Sequence, residues 1–156
     1  MAKTGYSVTT EGEVALSAAT AKTVLGVKAP AALGLDLKSF SVDFDGVTAS
    51  AEPVLVELCY STWATNSPGT ASTGTTERQL YGRVIAADFT GGHTWTTEPT
   101  TLTVLWAFAL DPNKGLFMYD YPLGESPDCA VAEGFALRLT APATVSARAA
   151  LRVEHT

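Results

Sequence analysis

The chain has 156 residues, one ordinary domain's worth, and burying roughly 70% of the surface its unfolded form exposes lets it fold without disulfide or metal staples. Hydrophobic residues make up 46% and charged residues only 17%, below the roughly 25% of an average domain, so the exterior is largely Thr, Ser, Ala and Gly. Ten Lys and Arg against sixteen Asp and Glu give a net charge of −6, which repels nucleic acid and anionic bilayers, and no run of about 18 apolar residues exists to span a membrane.

Residues 1–12 are polar and lack a long apolar period, so they read as a flexible N-terminal arm ahead of a single domain over 13–156. Within the arm, Tyr6 and Val8 alternate with Ser7 and Thr9, a pattern that suits strand addition to a neighbouring subunit, with Tyr6 as an aromatic anchor. A dispensable tail is the alternative. The start also lacks the apolar core of a secretory signal, which predicts a chain made and used without export.

From Val14 onward, short runs rich in Val, Leu, Phe, Tyr and Thr alternate with Gly, Pro, Asp and Asn, the pattern of an all-β sandwich. Thr20 to Gly34 resists a strand assignment because Gly26, Pro30 and Gly34 interrupt it. Phe40, Val42 and Phe44 alternate with Ser41, Asp43 and Asp45, predicting a strand over 37–45 that Gly46 ends. Val54, Val56, Leu58 and Tyr60 form an inward row over 53–61. Asn66 to Thr76 is small and polar and reads as an exposed, mobile loop; 78–87 reads as a strand with a bulge at Gly82.

The run 101–110 is almost wholly apolar, which predicts a central strand covered on both faces, with Trp106 in the core. Asp111-Pro112-Asn113-Lys114-Gly115 has the composition of a type I turn closed by a glycine, which would fold 101–110 and 116–121 into a hairpin. Strands over 134–141 and 145–154 follow, the latter with Val145, Ala147, Ala149, Leu151 and Val153 on one face. Together these predict an antiparallel, jelly-roll-like β-sandwich.

Candidate chemistry is thin. His93 lies in a glycine turn beside Trp95, but no nucleophile motif accompanies it, so a surface turn is the better reading. Asp43 and Asp45, with Asp36 or Asp111, lack the spacing of a calcium loop. Glu125, Asp128 and Glu133 are the chance carboxylates of an acidic chain. Cys59 and Cys129 permit a disulfide without implying one, and two histidines and two cysteines without a CxxC make no structural zinc set. The expectation is a protein without catalytic residues, metal or cofactor. Trp63 and Trp95, beside loops, would be the exposed aromatics, for a protein neighbour or, in a glycan-binding module, for a sugar.

Several segments carry a resemblance: Ala21 to Lys28, Phe40 to Gly46 (FSVDFDG), Val54 to Cys59, Thr97 to Val104 within TTEPTTLTV, Tyr119 to Gly124 with Pro127-Asp128-Cys129, and Ala147 to Glu154. In these the chain resembles small β-sandwich proteins of actinobacterial tailed phages that are carried with the virion structural genes. The resemblance implies a capsid decoration or cement protein, made in the host bacterial cytoplasm and carried on the capsid surface. Its partners would be the major capsid protein and copies of itself, with no nucleic acid and no membrane, through Tyr6, Val8, Trp63, His93 and Trp95.

Overall fold

The computed structural model describes residues 3–45 and 52–156; Met1, Ala2 and Gly46, which enter the expectations for the arm and for the end of the 37–45 strand, lie outside them. In chain order the strands are β1 (Gly5–Thr9), β2 (Val14–Leu16), β3 (Ala21–Lys28), β4 (Leu35–Phe44), β5 (Val54–Ser61), β6 (Thr73–Gly74) and β7 (Arg78–Tyr81). There follow β8 (Thr90–His93), β9 (Leu102–Leu110), β10 (Phe117–Asp120), β11 (Asp128–Cys129), β12 (Gly134–Thr140) and β13 (Val145–His155). They form two antiparallel sheets, with no helix among the described residues, so the all-β expectation holds.

One sheet runs β10-β4-β13-β1-β7, with β11 also on β4 and β2 on β13; the other runs β6-β8-β3-β12-β5-β9. Along the strands β1, β3, β4, β5, β9, β10, β12 and β13 the chain changes sheet at every step except β5 to β9. Between those two, residues 62–101 make an excursion to the far flank, adding β6 and β8 beyond β3 and β7 beyond β1.

The period-two rows expected from sequence meet in one core. Val145, Ala147, Ala149, Leu151 and Val153 of β13, with Leu35, Leu37, Phe40 and Val42 of β4 beside them, face Phe135, Leu137 and Leu139 of β12 and Val54, Val56 and Leu58 of β5. Each fully buried Leu or Val of this kind contributes about 1.5–3 kcal/mol. Polar residues occupy the other face of β13, where Arg148 donates to Glu13 Oε1 at 2.9 Å.

Five expectations about strands are corrected by the tertiary structure. The first is the arm, because β1 is an interior strand: Tyr6 pairs with Val153 and Val8 with Leu151 on one side, and Tyr6 and Ser7 pair with Gln79 and Arg78 on the other. Tyr6 and Val8 are buried, and the Tyr6 hydroxyl donates to Ile85 O at 2.9 Å. Ordering β1 costs about 1–2 kcal/mol per residue; burial of two large side chains and pairing on both edges offset that cost. The edge that the alternation of Tyr6 and Val8 suits is the chain's own C-terminal strand, so the boundary drawn at residue 12 disappears.

Second, Ala21–Lys28 is a strand after all, and an inner one, buried from Thr23 to Val27. Gly26, which argued against a strand, is required there: a Cβ at this position would lie 2.9 Å from the ring atoms of both Trp63 and Trp95. Third, 102–110 is an edge strand, paired among the described residues only with β5, and Val104, Leu105, Ala107 and Ala109 are exposed. A continuous apolar run looks the same whether the chain covers its outer face or leaves it open.

Fourth, the turn after β9 forms, with Lys114 N donating to Asp111 O at 3.1 Å, Asn113 N to Asp111 Oδ1 at 2.9 Å and Gly115 at φ 85°, but it joins no hairpin. It carries the chain from one sheet to the other: β9 pairs with β5, and β10 pairs with β4. Turn chemistry is local; the strand partners on either side are chosen by packing. In the same way the strand expected over 78–87 stops at Tyr81. Gly82, at φ 99°, turns the chain against Lys3 O and Thr4.

Candidate docking surface

The five residues assigned to partner binding do not make a surface. Tyr6 and Val8 lie in the main core, Tyr6 edge-on to Phe89 at 5.4 Å and beside His155 at 5.1 Å. Trp63 and Trp95 are 4% and 1% exposed and stack on each other, ring centroids 5.8 Å apart and 11° from parallel. With Cys59 and Ala136 they form a second small core on the outer face of the β3-β12-β5 sheet.

The reason is local. Gly26 and Ala136, adjacent on β3 and β12, leave a shallow trough in that face, and the 62–101 excursion drops both indoles into it. Trp63 Nε1 donates to Val27 O at 3.0 Å and Trp95 Nε1 to Asn66 O at 2.7 Å, so both indole N–H groups are satisfied. The loop read as exposed and mobile, 66–76, is the cover: Pro68 is buried, Asn66 Nδ2 donates to Glu98 O at 2.9 Å and Thr96 N to Ala71 O at 2.8 Å. His93 is half-buried on β8, sharing a 2.9 Å hydrogen bond with Thr94 Oγ1.

The other candidates disperse. Asp36 belongs to an ion-pair cluster, Asp111 caps its turn, and Glu133 Oε2 accepts from Ala130 N at 3.0 Å. Among the described residues no group of three His, Cys, Asp or Glu is placed to hold a metal ion. Cys59 and Cys129 are both buried and free, on different sheets, and burial pushes each thiol up to about 11.

The cluster around Asp36 binds three elements across the outer face of the other sheet. Lys3 Nζ lies 2.8 Å from Asp36 and 3.4 Å from Glu154; Lys38 Nζ lies 3.2 Å from Glu154 and 3.6 Å from Asp36; Tyr81 donates to Glu154. Burial opposes the Glu154 charge, but the Tyr81 hydrogen bond and the two lysines outweigh it and hold the carboxyl below its usual range. The sign follows: this stabilisation is fully present above the unfolded value of about 4.3 and is lost as pH falls through the lower folded one. His155 adds to the loss from about pH 6.5 downward, since burial, only partly opposed by Asp88, lowers its folded pKa. Urea midpoints measured across this range should fall on acidification, and Glu154→Gln should flatten the steepest part below about pH 4.5; equal slopes would show that Glu154 is uncoupled from folding.

An apolar surface is presented on the flank where the sheets end in β9 and β10. Leu105, Trp106, Tyr119, Tyr121 and Pro127 line an open groove of about 360 Å³ between the two edges. Trp106 and Tyr119 meet edge-on at 4.9 Å, Tyr119 and Tyr121 at 5.0 Å, and Phe40, Phe108 and Phe117 floor the cluster from within. Register explains the half-exposure. A bulge opposite Leu58 and Cys59 turns Leu105 out beside Trp106, while Phe117 and Tyr119 of β10 point inward and Met118 and Asp120 outward. Beside the groove, Leu55, Val104, Ala107 and Ala109 continue an apolar strip along the β9 edge.

Sequence reasoning placed Trp106 in the core and gave Tyr119 and Tyr121 no role. The available signal was the uncharged run of β9 itself, a strand with no Lys, Glu or Pro to guard an edge. Comparison with known protein families, with curated proteins and with solved structures finds no match for this chain.

Proposed function

We propose that the chain is a structural docking module of the virion kind, a capsid decoration protein that binds the major capsid protein on the shell beside copies of itself. The observation that carries this reading is the long, uncharged β9 edge with the aromatic groove beside it: an exposed flat apolar edge is a hazard for a protein that stays alone, and a contact for one that docks. The strand orders β1-β13-β4-β10 and β3-β12-β5-β9, with a change of sheet at every step but one, support the finer reading of the sandwich as a jelly roll, a fold common among capsid and lectin domains. Fold does not assign function, so the weight rests on the edge and on the resemblance.

Mass spectrometry of virions carrying this chain should find it in many copies per particle. Leu105→Asp combined with Ala107→Asp, both exposed, should leave the melting temperature nearly unchanged and cut particle binding at least tenfold, about 1.4 kcal/mol. Undiminished binding would remove β9 from the interface. The half-exposed Trp106, Tyr119 and Tyr121 favour glycan binding as a second reading, although their edge-on packing presents no flat shared platform. Glycan-array signal lost in Tyr119→Ala would support that reading, and a blank array with particle binding intact would retire it.

A further inference from the structure

The sheet β10-β4-β13-β1-β7 ends in two short edge strands of equal length, four residues each, and the two edges are chemically opposite. The β7 edge and the chain that follows it, 78–87, hold Arg78 and Arg83 and no carboxylate; of the flanking acids, Glu77 accepts from Gly91 N at 2.9 Å and Asp88 lies near Tyr6 and His155. The β10 edge and its continuation to β11, 116–128, hold Asp120, Glu125 and Asp128 and no base. All five edge charges are exposed, and none has an ion-pair partner among the described residues. The lysines beside the acidic edge are already engaged, Lys3 and Lys38 by Asp36 and Glu154 and Lys114 by Asp111 at 4.0 Å.

Each edge is also apolar. Val84 and Leu123 are each 98% exposed, Val84 beside Leu80 and Ile85 on the basic edge and Leu123 beyond Leu116 and Met118 on the acidic one. The edges lie at opposite ends of a five-strand path, and although Tyr81 and Asp120 share the rim of one outer-face groove, neither Arg78 nor Arg83 pairs with Asp120, Glu125 or Asp128 within one molecule. Across an antiparallel sheet, four steps also leave β7 and β10 running in the same direction. A second copy displaced along the sheet, its inner face still on the same side, therefore brings the basic edge of one molecule to the acidic edge of the next.

We infer that copies of this chain associate edge to edge, the Arg78/Arg83 edge of one against the Asp120/Glu125/Asp128 edge of the next. Leu80, Val84 and Ile85 meet Leu116, Met118 and Leu123 inside a rim of opposite charges. The contact joins two different surfaces, so it repeats into a ring or an open row and does not stop at a dimer. It names the self-contact within the proposed function but does not depend on it, because it is a property of the free protein; it uses the outward side chains of 116–128, while the inward Tyr119, with Tyr121 and Pro127, lines the groove beside β9.

The test is sedimentation velocity with light scattering on the full chain. Self-association should weaken at least tenfold between low salt and several hundred millimolar, where exposed charges are screened. Arg78→Glu with Arg83→Glu gives a molecule with two acidic edges; Asp120→Lys with Glu125→Lys gives one with two basic edges. Each alone should associate at least tenfold more weakly than the unaltered chain, with unchanged circular dichroism since all four sites are exposed. Mixed in equal amounts they should co-assemble, because every contact is then complementary again. A chain that stays monomeric at low salt, charge-reversed variants that associate as before, or a closed dimer lost only in Ala107→Asp would each overturn the inference. The last would place self-contact on β9. Failure of particle binding with this pattern intact would count against the capsid reading alone.

Discussion

A chain lacking residues 2–11 should show no cooperative unfolding transition. That deletion removes β1 from between β13 and β7, uncovers Leu151 and Val153, and takes away the ring that packs on Phe89 and His155. Tyr6→Ala isolates the largest part of the effect: by analogy with other large aromatic truncations it should cost about 3–5 kcal/mol, and it also leaves Ile85 O without the Tyr6 hydroxyl. Ser7→Ala on the outer face is the control and should stay within about 0.5 kcal/mol. Urea unfolding followed by tryptophan fluorescence and far-ultraviolet circular dichroism measures all three. A truncated chain that melts with the full-length protein would return residues 3–10 to the status of an arm.

Two glycines should be nearly irreplaceable. A Cβ at Gly134 would lie 1.9 Å from Val27 O and 2.8 Å from Trp63 Nε1, so Gly134→Ala must push strands β3 and β12 apart at their shared end and disturb the Trp63 hydrogen bond to the same carbonyl. At Gly26 the obstacle is the indole pair, and Gly26→Val should lift both rings from the sheet. Overpacking typically costs about 1–3 kcal/mol, and backbone contact places Gly134→Ala at or above the upper end. Gly12→Ala, where nothing lies within 4 Å, is the matched control. Lifting the indoles should also red-shift tryptophan emission in Gly26→Val, because Trp63 and Trp95 are both buried in the native fold. Native-like stability with unshifted emission would contradict the packing described here.

Legibility of the fold followed the range of the forces involved. Strands β4, β5, β12 and β13 could be read because one face of each is apolar and the other polar, a property written in every second residue. The 111–115 turn was equally readable, since its Asp side chain, proline and positive-φ glycine act within five residues. Strands β1 and β3 were not: Tyr6 and Val8 become core only against Leu151 and Val153, and Gly26 becomes a strand residue only beneath Trp63 and Trp95.

The candidate surface divides the same way. Sequence by itself determined that this is an all-β chain with two-faced strands and a low share of charged residues. Tertiary structure alone decided which aromatics face outward. Trp63 and Trp95 sit beside loops in sequence, yet small residues on two neighbouring strands open a trough that buries them, whereas Trp106, in the most apolar run, ends on an edge because no strand among the described residues pairs beyond β9. Burial is a property of what lies opposite a side chain, and for each of these residues that neighbour is contributed by a distant part of the chain.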